Sequence, residues 1–160
     1  MCAKVVCPGS FDPITVGHED YIKNAAELFG EAVVLVMNNT EKKYLLSAEE
    51  RYESARLAFE GQSNIKVELC EGFLAEHCKN IGADAIVKGL RTAGDFEYEY
   101  MLSRINLELG GIRTVFLPSD SEKSFISSTF VRDLMKYGKD FSPYVPKGSY
   151  IYLKKIFEKQ

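Results

Sequence analysis

The sequence predicts an α/β protein built on a five-stranded parallel, doubly wound sheet with helices on both faces. Short β-branched runs alternate with stretches of helical period along the whole chain. The run Ala32–Met37 (AVVLVM) is apolar at every position. That suits a strand covered on both faces rather than one alternating in and out. Between the runs stand residues that stop or cap helices, such as Gly30, Ser47, Gly110-Gly111 and Ser127.

The first strand is expected over Lys4–Cys7, ended by Pro8-Gly9. From Thr15 to Phe29, apolar Tyr21, Ile22, Ala25, Ala26, Leu28 and Phe29 recur at helical spacing, with Gly30 as the stop. Ala32–Met37 is the second strand. Ser47-Ala48-Glu49-Glu50 has the S-x-x-E form of a capping box and opens a helix to about Phe59. Ile65–Cys70 is the third strand, and Gly72-Phe73-Leu74 leads a short helix ending near Gly82. Ala85–Val87 is the fourth strand, followed directly by Lys88-Gly89-Leu90-Arg91. The longest helical pattern, Asp95 to Leu109, stops at Gly110-Gly111. Arg113–Leu117 is the fifth strand, and Ser127-Ser128-Thr129 precedes a helix over Phe130–Tyr137. The 160 residues make one domain, with a helical tail from about 141 and no repeat or linker.

A net charge of −3 argues against bulk binding of nucleic acid. No apolar run reaches the roughly 20 residues of a membrane span, and the first residues lack a secretory signal. Cys2, Cys7, Cys70 and Cys78 have no paired spacing and read as free thiols, which points to the cytoplasm. Cys70, Cys78 and His77 are better explained by packing than by metal binding, and no metal cage is expected.

In such a sheet ligands lie beyond the C-terminal ends of the strands. Five loops then converge there, carrying Pro8–Ser10, Asn38–Lys43, Glu71–Leu74, Lys88–Arg91 and the serine-rich stretch after strand five. With Thr15 as N-cap, Gly17 and His18 fall in the first helical turn, where open N–H groups and the helix dipole receive an anion. Lys42, Lys88 and Arg91 add positive charge. Asp95 and Glu97 are explained by the helix dipole, whereas Glu99, among Phe96, Tyr98 and Tyr100, has a partly buried setting. Ser127-Ser128-Thr129 offers more hydroxyls than one cap needs, and the spare ones suit a second phosphate. There is no GxGxxG, no P-loop and no Ser-His-Asp or Cys-His pairing. Two anion-receptive helix starts with three cations suit phosphoryl or nucleotidyl transfer, which needs alignment and charge neutralisation.

The segment PGSFDPITVGH resembles the signature of a nucleotidyltransferase superfamily with a Rossmann-like fold, its Thr/His-x-Gly-His motif being Thr15 to His18. VKGLR (Val87–Arg91), DFEYE (Asp95–Glu99) and SFISST (Ser124–Thr129) narrow the resemblance to the bacterial phosphopantetheine adenylyltransferase family. The resemblance implies transfer of the adenylyl group of ATP to 4′-phosphopantetheine, giving dephospho-coenzyme A and pyrophosphate. By matching positions, His18 stabilises the transition state and Ser10 meets both substrates. Phe11, Gly89, Leu90, Arg91, Glu99 and Lys123, Ser124, Phe125, Ile126, Ser127, Ser128 and Thr129 bind ATP. Lys42, Leu74 and Lys88 line the phosphopantetheine site. The resemblance also implies Mg²⁺ with the nucleotide, a homohexamer and feedback inhibition by coenzyme A. Ser10 stands where many members carry Thr, and Lys88 where Arg is usual, which loses a bidentate fork but keeps the charge. A nicotinate-mononucleotide adenylyltransferase and a glycerol-phosphate cytidylyltransferase are the nearest enzyme alternatives. A binding module without catalysis is the alternative from another class.

Overall fold

The structure, a computed structural model, describes residues 2–39, 42–119 and 123–157. The parts of the expected loops at 40–41 and 120–122, and of the tail at 158–160, lie outside the described residues. The elements are β1 (Ala3–Gly9), α1 (Val16–Phe29), β2 (Gly30–Met37), α2 (Ala48–Ala58), β3 (Ile65–Cys70), α3 (Leu74–Asn80), β4 (Ala85–Leu90), α4 (Ala93–Gly110), β5 (Arg113–Pro118), α5 (Ser128–Lys136) and α6 (Lys147–Phe157).

The five strands are parallel, in the order β3-β2-β1-β4-β5. Alternate strand residues serve opposite faces. Val5, Cys7, Val34 and Val36 pack with Ile22 and Ala25 of α1 and Ala55 of α2. Val6, Val33, Leu35 and Ile86 pack with Cys78 of α3 and Ile112 on the other side. The apolar run Ala32–Met37 of β2 is thus covered on both faces, as its composition predicts. The chain winds outward from β1 in one direction and restarts at β4 in the other. The switch point lies between β1 and β4, where doubly wound sheets open a ligand crevice.

Two strand ends run further than expected. β1 continues through Pro8 and Gly9, which pair with Leu35 and Val36 of β2, and β4 continues through Lys88, Gly89 and Leu90, which pair with β5. The pairing of β1 with β4 stops at Val6↔Ile86. Beyond it the two strands have parted, so Pro8 has no ladder bond to lose on that side. The backbone of each strand is paired there with its outer neighbour alone.

The tail docks by close packing. Leu153 and Val145 join Leu46, Val131 and Met135 in a separate core cluster. Ser149 Oγ donates to the Ser54 carbonyl of α2 at 2.6 Å, both residues being fully buried. A Cβ on Gly148 would lie 2.2 Å from the Leu57 carbonyl oxygen, so only glycine fits this crossing. Gly148→Val is expected to lower stability by about 1–3 kcal/mol, read as an unchanged urea m-value with a lower midpoint.

His77 has the structural role expected of it, with Nε2 2.8 Å from Glu68 Oε2. All four cysteines are free thiols, and three of them are buried.

Candidate active site

The site begins where β1 hands over to α1. Thr15 caps the helix, its Oγ1 accepting from the His18 backbone N–H, and His18 returns the bond, Nδ1 accepting from the Thr15 N–H at 3.1 Å. This is a capping box with histidine in the place glutamate usually fills. The reciprocal bond has a chemical consequence. A backbone N–H can only donate, so Nδ1 must be an unprotonated acceptor, and the proton of a neutral ring sits on Nε2. Burial first, then the charges of Arg91 and Lys88, lower the pKa of His18 to about 3. The imidazole is therefore neutral at physiological pH and offers the cavity an Nε2–H donor. Phe11 holds the ring edge-on, with centroids 5.2 Å apart.

Phe11 has φ of +48°, a left-handed backbone that a bulky residue adopts only where the surroundings enforce it. Its ring lies across Gly9, where a Cβ would stand 2.8 Å from the ring tip. Gly17 is a different kind of glycine. A Cβ there would meet only Thr15 Oγ1 at 3.7 Å, so no protein neighbour excludes a side chain. The space over its backbone belongs to the cavity.

That cavity, about 470 Å³, lies over the parted ends of β1 and β4. Ser10, Phe11, Gly17, His18, Lys42, Lys88, Gly89, Arg91, Glu99, Lys123 and Ile126 line it. A second cavity of about 250 Å³ adjoins it and shares Ser10, Lys42, Lys88, Tyr98 and Glu99. Leu74, Met37, Leu102 and Ile86 give the second one an apolar wall, and Asn38, Ser103 and Asn106 give it polar groups. Leu90, Ser124, Phe125, Ser127, Ser128 and Thr129 are not on the wall of either. Leu90 instead accepts the Ser119 N–H at its carbonyl.

The cations are already engaged. Lys88 Nζ is 3.1 Å from Glu99 Oε1 and 3.2 Å from the Pro8 carbonyl, bridging β4 to α4 and β1. Arg91 bonds Asp95 through its backbone N–H and Nε, both at 3.2 Å, and the Ile126 carbonyl through a terminal nitrogen. Lys123 pairs with Asp20 of α1.

The three hydroxyls ahead of α5 depart from expectation. Ser127 Oγ caps the Phe130 N–H, Ser128 Oγ donates to the Pro13 carbonyl, and Thr129 Oγ1 accepts from Arg132. Ser128 ties this helix start to the 12–15 loop, whereas Ser127 and Thr129 accept bonds within the first turn of α5. What the start of α5 leaves for an anion is backbone N–H.

A family model described as Cytidylyltransferase-like matches residues 6–134. The chain is 47% identical to a protein named phosphopantetheine adenylyltransferase from Paenarthrobacter aurescens, over 146 residues that cover 91% of this chain and 88% of that one. With the protein of that name from Flavobacterium psychrophilum the identity is 42%, over 145 residues covering 91% and 96%. The chain belongs to the phosphopantetheine adenylyltransferase family.

Three residues that the sequence left unassigned help to shape this nucleotidyltransferase site. Tyr21 lies against Gly89, where a Cβ would sit 2.7 Å from its ring, so the two pack as one wall. Asp95 orients Arg91, and the i, i+4 spacing of the pair was the signal for it. Asp12 is buried, and its two carboxylate oxygens accept the N–H groups of Leu45 and Leu46 at 2.9 and 3.0 Å. It thereby fastens the loop after β2, which carries Lys42, to the loop after β1. No short-range pattern marks such a bond across more than thirty residues.

Proposed function

We propose that the protein transfers the adenylyl group of ATP to 4′-phosphopantetheine, giving dephospho-coenzyme A and pyrophosphate. The observation that carries this reading is the pair of adjoining cavities. The larger, polar one, with the start of α1 and His18, suits the nucleotide, and the smaller, with Leu74 and Lys42, suits the pantetheine arm and its phosphate. Ser10 and Lys88 stand on both walls, where the two substrates meet.

In this reading ATP is held by Ser10, the Phe11 backbone, His18, Gly89, Leu90, Arg91, Glu99 and the segment Lys123 to Thr129. The acceptor is held by Ser10, Lys42, Leu74 and Lys88. An oxygen of the acceptor phosphate attacks the α-phosphorus, and the bond from that phosphorus to the β-bridging oxygen breaks as pyrophosphate leaves. The attacking oxygen is already anionic, so no base is needed. His18 Nε2–H donates to the α-phosphate oxygen on which charge builds. Lys88 releases Glu99 for the incoming phosphate, which keeps the cation placed before substrate arrives.

Mg²⁺ is the expected companion of the triphosphate. Among the described residues there is no cluster of three acidic, His or Cys side chains to cage it, and Asp95 and Glu99 are bonded to Arg91 and Lys88. The donor set does not fit an ion held by the protein alone, so no step here is routed through one. A magnesium ion coordinated mainly by phosphate and water is consistent with its ordinary chemistry.

The homohexamer and inhibition by coenzyme A are part of the proposal. Support for assembly is α4, which has no fully buried residue and leaves Tyr98, Met101, Ile105 and Leu109 at least half exposed. Support for inhibition is that coenzyme A, a nucleotide joined to a pantetheine arm, matches the two joined cavities. A cytoplasmic setting is supported by the free thiols. No described helix is long and apolar enough to cross a membrane.

Incubation with ATP, Mg²⁺ and 4′-phosphopantetheine is expected to release pyrophosphate and yield dephospho-coenzyme A by mass. Turnover with nicotinate mononucleotide or glycerol phosphate and none with 4′-phosphopantetheine would refute the acceptor, and ATP binding without any turnover would refute catalysis.

A further inference from the structure

Arg51, on α2, is fully buried and has no place in the chemistry above. One terminal nitrogen donates to the carbonyls of Ser10 and Met37, both at 2.8 Å, and the other to Asn38 Oδ1 at 3.0 Å. The guanidinium lies 4.0 Å from the centre of the Tyr44 ring. Its hydrogen bonds all go to neutral oxygens, the carboxylates of Asp12 and Glu49 act on it without a direct bond, and its Nε has no hydrogen-bond acceptor. A buried cation answered by neutral oxygens is costly, and sheet stability alone gives little reason to retain one.

Its position explains it. The β1–β2 ladder ends at Gly9↔Val36, so Ser10 and Met37 would form the next pair. Arg51 takes both carbonyls at that point, closing the two strand ends with a side chain where the ladder stops. The fork then reaches Asn38, the first residue of the loop that carries Lys42. Ser10, Met37 and Asn38 all line the smaller cavity, and of the three only Ser10 lines the larger.

We infer that Arg51 is a positioning residue for the acceptor side of the site, fixing the Ser10 and Met37 backbones and the Asn38 side chain so that Ser10 and Lys42 meet the acceptor phosphate in register. This rests on the proposed acceptor being bound in the smaller cavity. A planar fork fixes three oxygens at once, whereas a lysine ammonium in the same place keeps the charge and loses that geometry.

The test is steady-state kinetics of Arg51→Lys with both substrates, together with thermal unfolding. The KM for 4′-phosphopantetheine is expected to rise about tenfold or more, while the KM for ATP stays within about twofold, as misplacement of one subsite predicts. Equal changes in both KM values, or none, alongside a lowered Tm would mean a structural role only and overturn the inference. Asn38→Ala removes one arm of the fork from an exposed residue and serves if Arg51→Lys does not fold. A rise of about threefold confined to the acceptor KM supports the inference, and an unchanged acceptor KM overturns it. Wild-type turnover with a different acceptor refutes the functional reading alone, and the same comparison of KM values is then made with that acceptor.

Discussion

His18→Ala is expected to lower kcat by about three orders of magnitude while leaving the affinity for ATP within about threefold. The asymmetry follows from what the ring does. Its Nδ1 is spent on the Thr15 N–H, and in the proposed mechanism the remaining Nε2–H would meet an oxygen whose charge grows only as the α-phosphorus is attacked. Ground-state binding draws instead on backbone N–H groups and on Arg91, which the substitution leaves in place. The pH profile gives a separate check. With a pKa lowered to about 3, the neutral form is present above that pH and lost below it. Turnover should therefore show no histidine titration between about pH 6 and 9. A kcat that changes through an apparent pKa near the ordinary 6.5, and loses that change in His18→Ala, would contradict a neutral donor. Calorimetry with ATP and a rapid pyrophosphate assay read the two halves of the prediction.

The second large effect is on folding. Asp12→Ala should destabilise the protein by about 3–5 kcal/mol, because it strands two backbone donors and one cation at once. Leu46 is buried, so its freed N–H has no water to turn to. Arg132 loses a carboxylate 3.7 Å away and keeps two neutral acceptors, the Asp12 carbonyl at 2.8 Å and Thr129 Oγ1 at 3.0 Å. Urea unfolding measures the loss. Asp12→Asn should recover part of it, since an amide keeps one acceptor oxygen for one of the two N–H groups. If alanine costs no more than about 1 kcal/mol, the carboxylate is not what joins these loops.

The architecture was legible because its signals are local. The apolar run of β2, the N-cap at Thr15, the capping box at Ser47 and the helix stops at Gly30 and Gly111 each sit within a few residues, and each lies where the sequence put it. The strand ends were less so. That Pro8 and Lys88 lie within strands depends on β1 and β4 parting after Ile86, a property of the pair that neither segment carries alone. The site divides the same way. His18, Ser10, Lys88 and Arg91 could be gathered from loops at one sheet edge, because parallel topology brings those ends together. Arg51 and Asp12 could not. A buried arginine at an ordinary helical position looks like a surface one, and Asp12 inside a loop looks like a turn former until its partners are seen. The hydroxyls before α5 misled for the opposite reason. Their number suggested spare capacity, but Ser128 bonds the neighbouring loop while Ser127 and Thr129 accept bonds within the first turn of α5.

The short β1–β4 seam has a mechanical consequence. Seven residue pairs join β1 to β2 and six join β4 to β5, but only two join the half-sheets to each other. Two further bonds between Lys4 and Asp84 reinforce it, both at the end remote from the cavity. The sheet is thus stitched by backbone at one end, and at the cavity end the Lys88 side chain reaches across to the Pro8 carbonyl at 3.2 Å. A molecule gripping Ser10 on one side and Gly89 or Arg91 on the other would act as the missing stretch of ladder. Under the proposed binding mode the gap at the cavity end is spanned by side-chain and substrate contacts in place of backbone pairing.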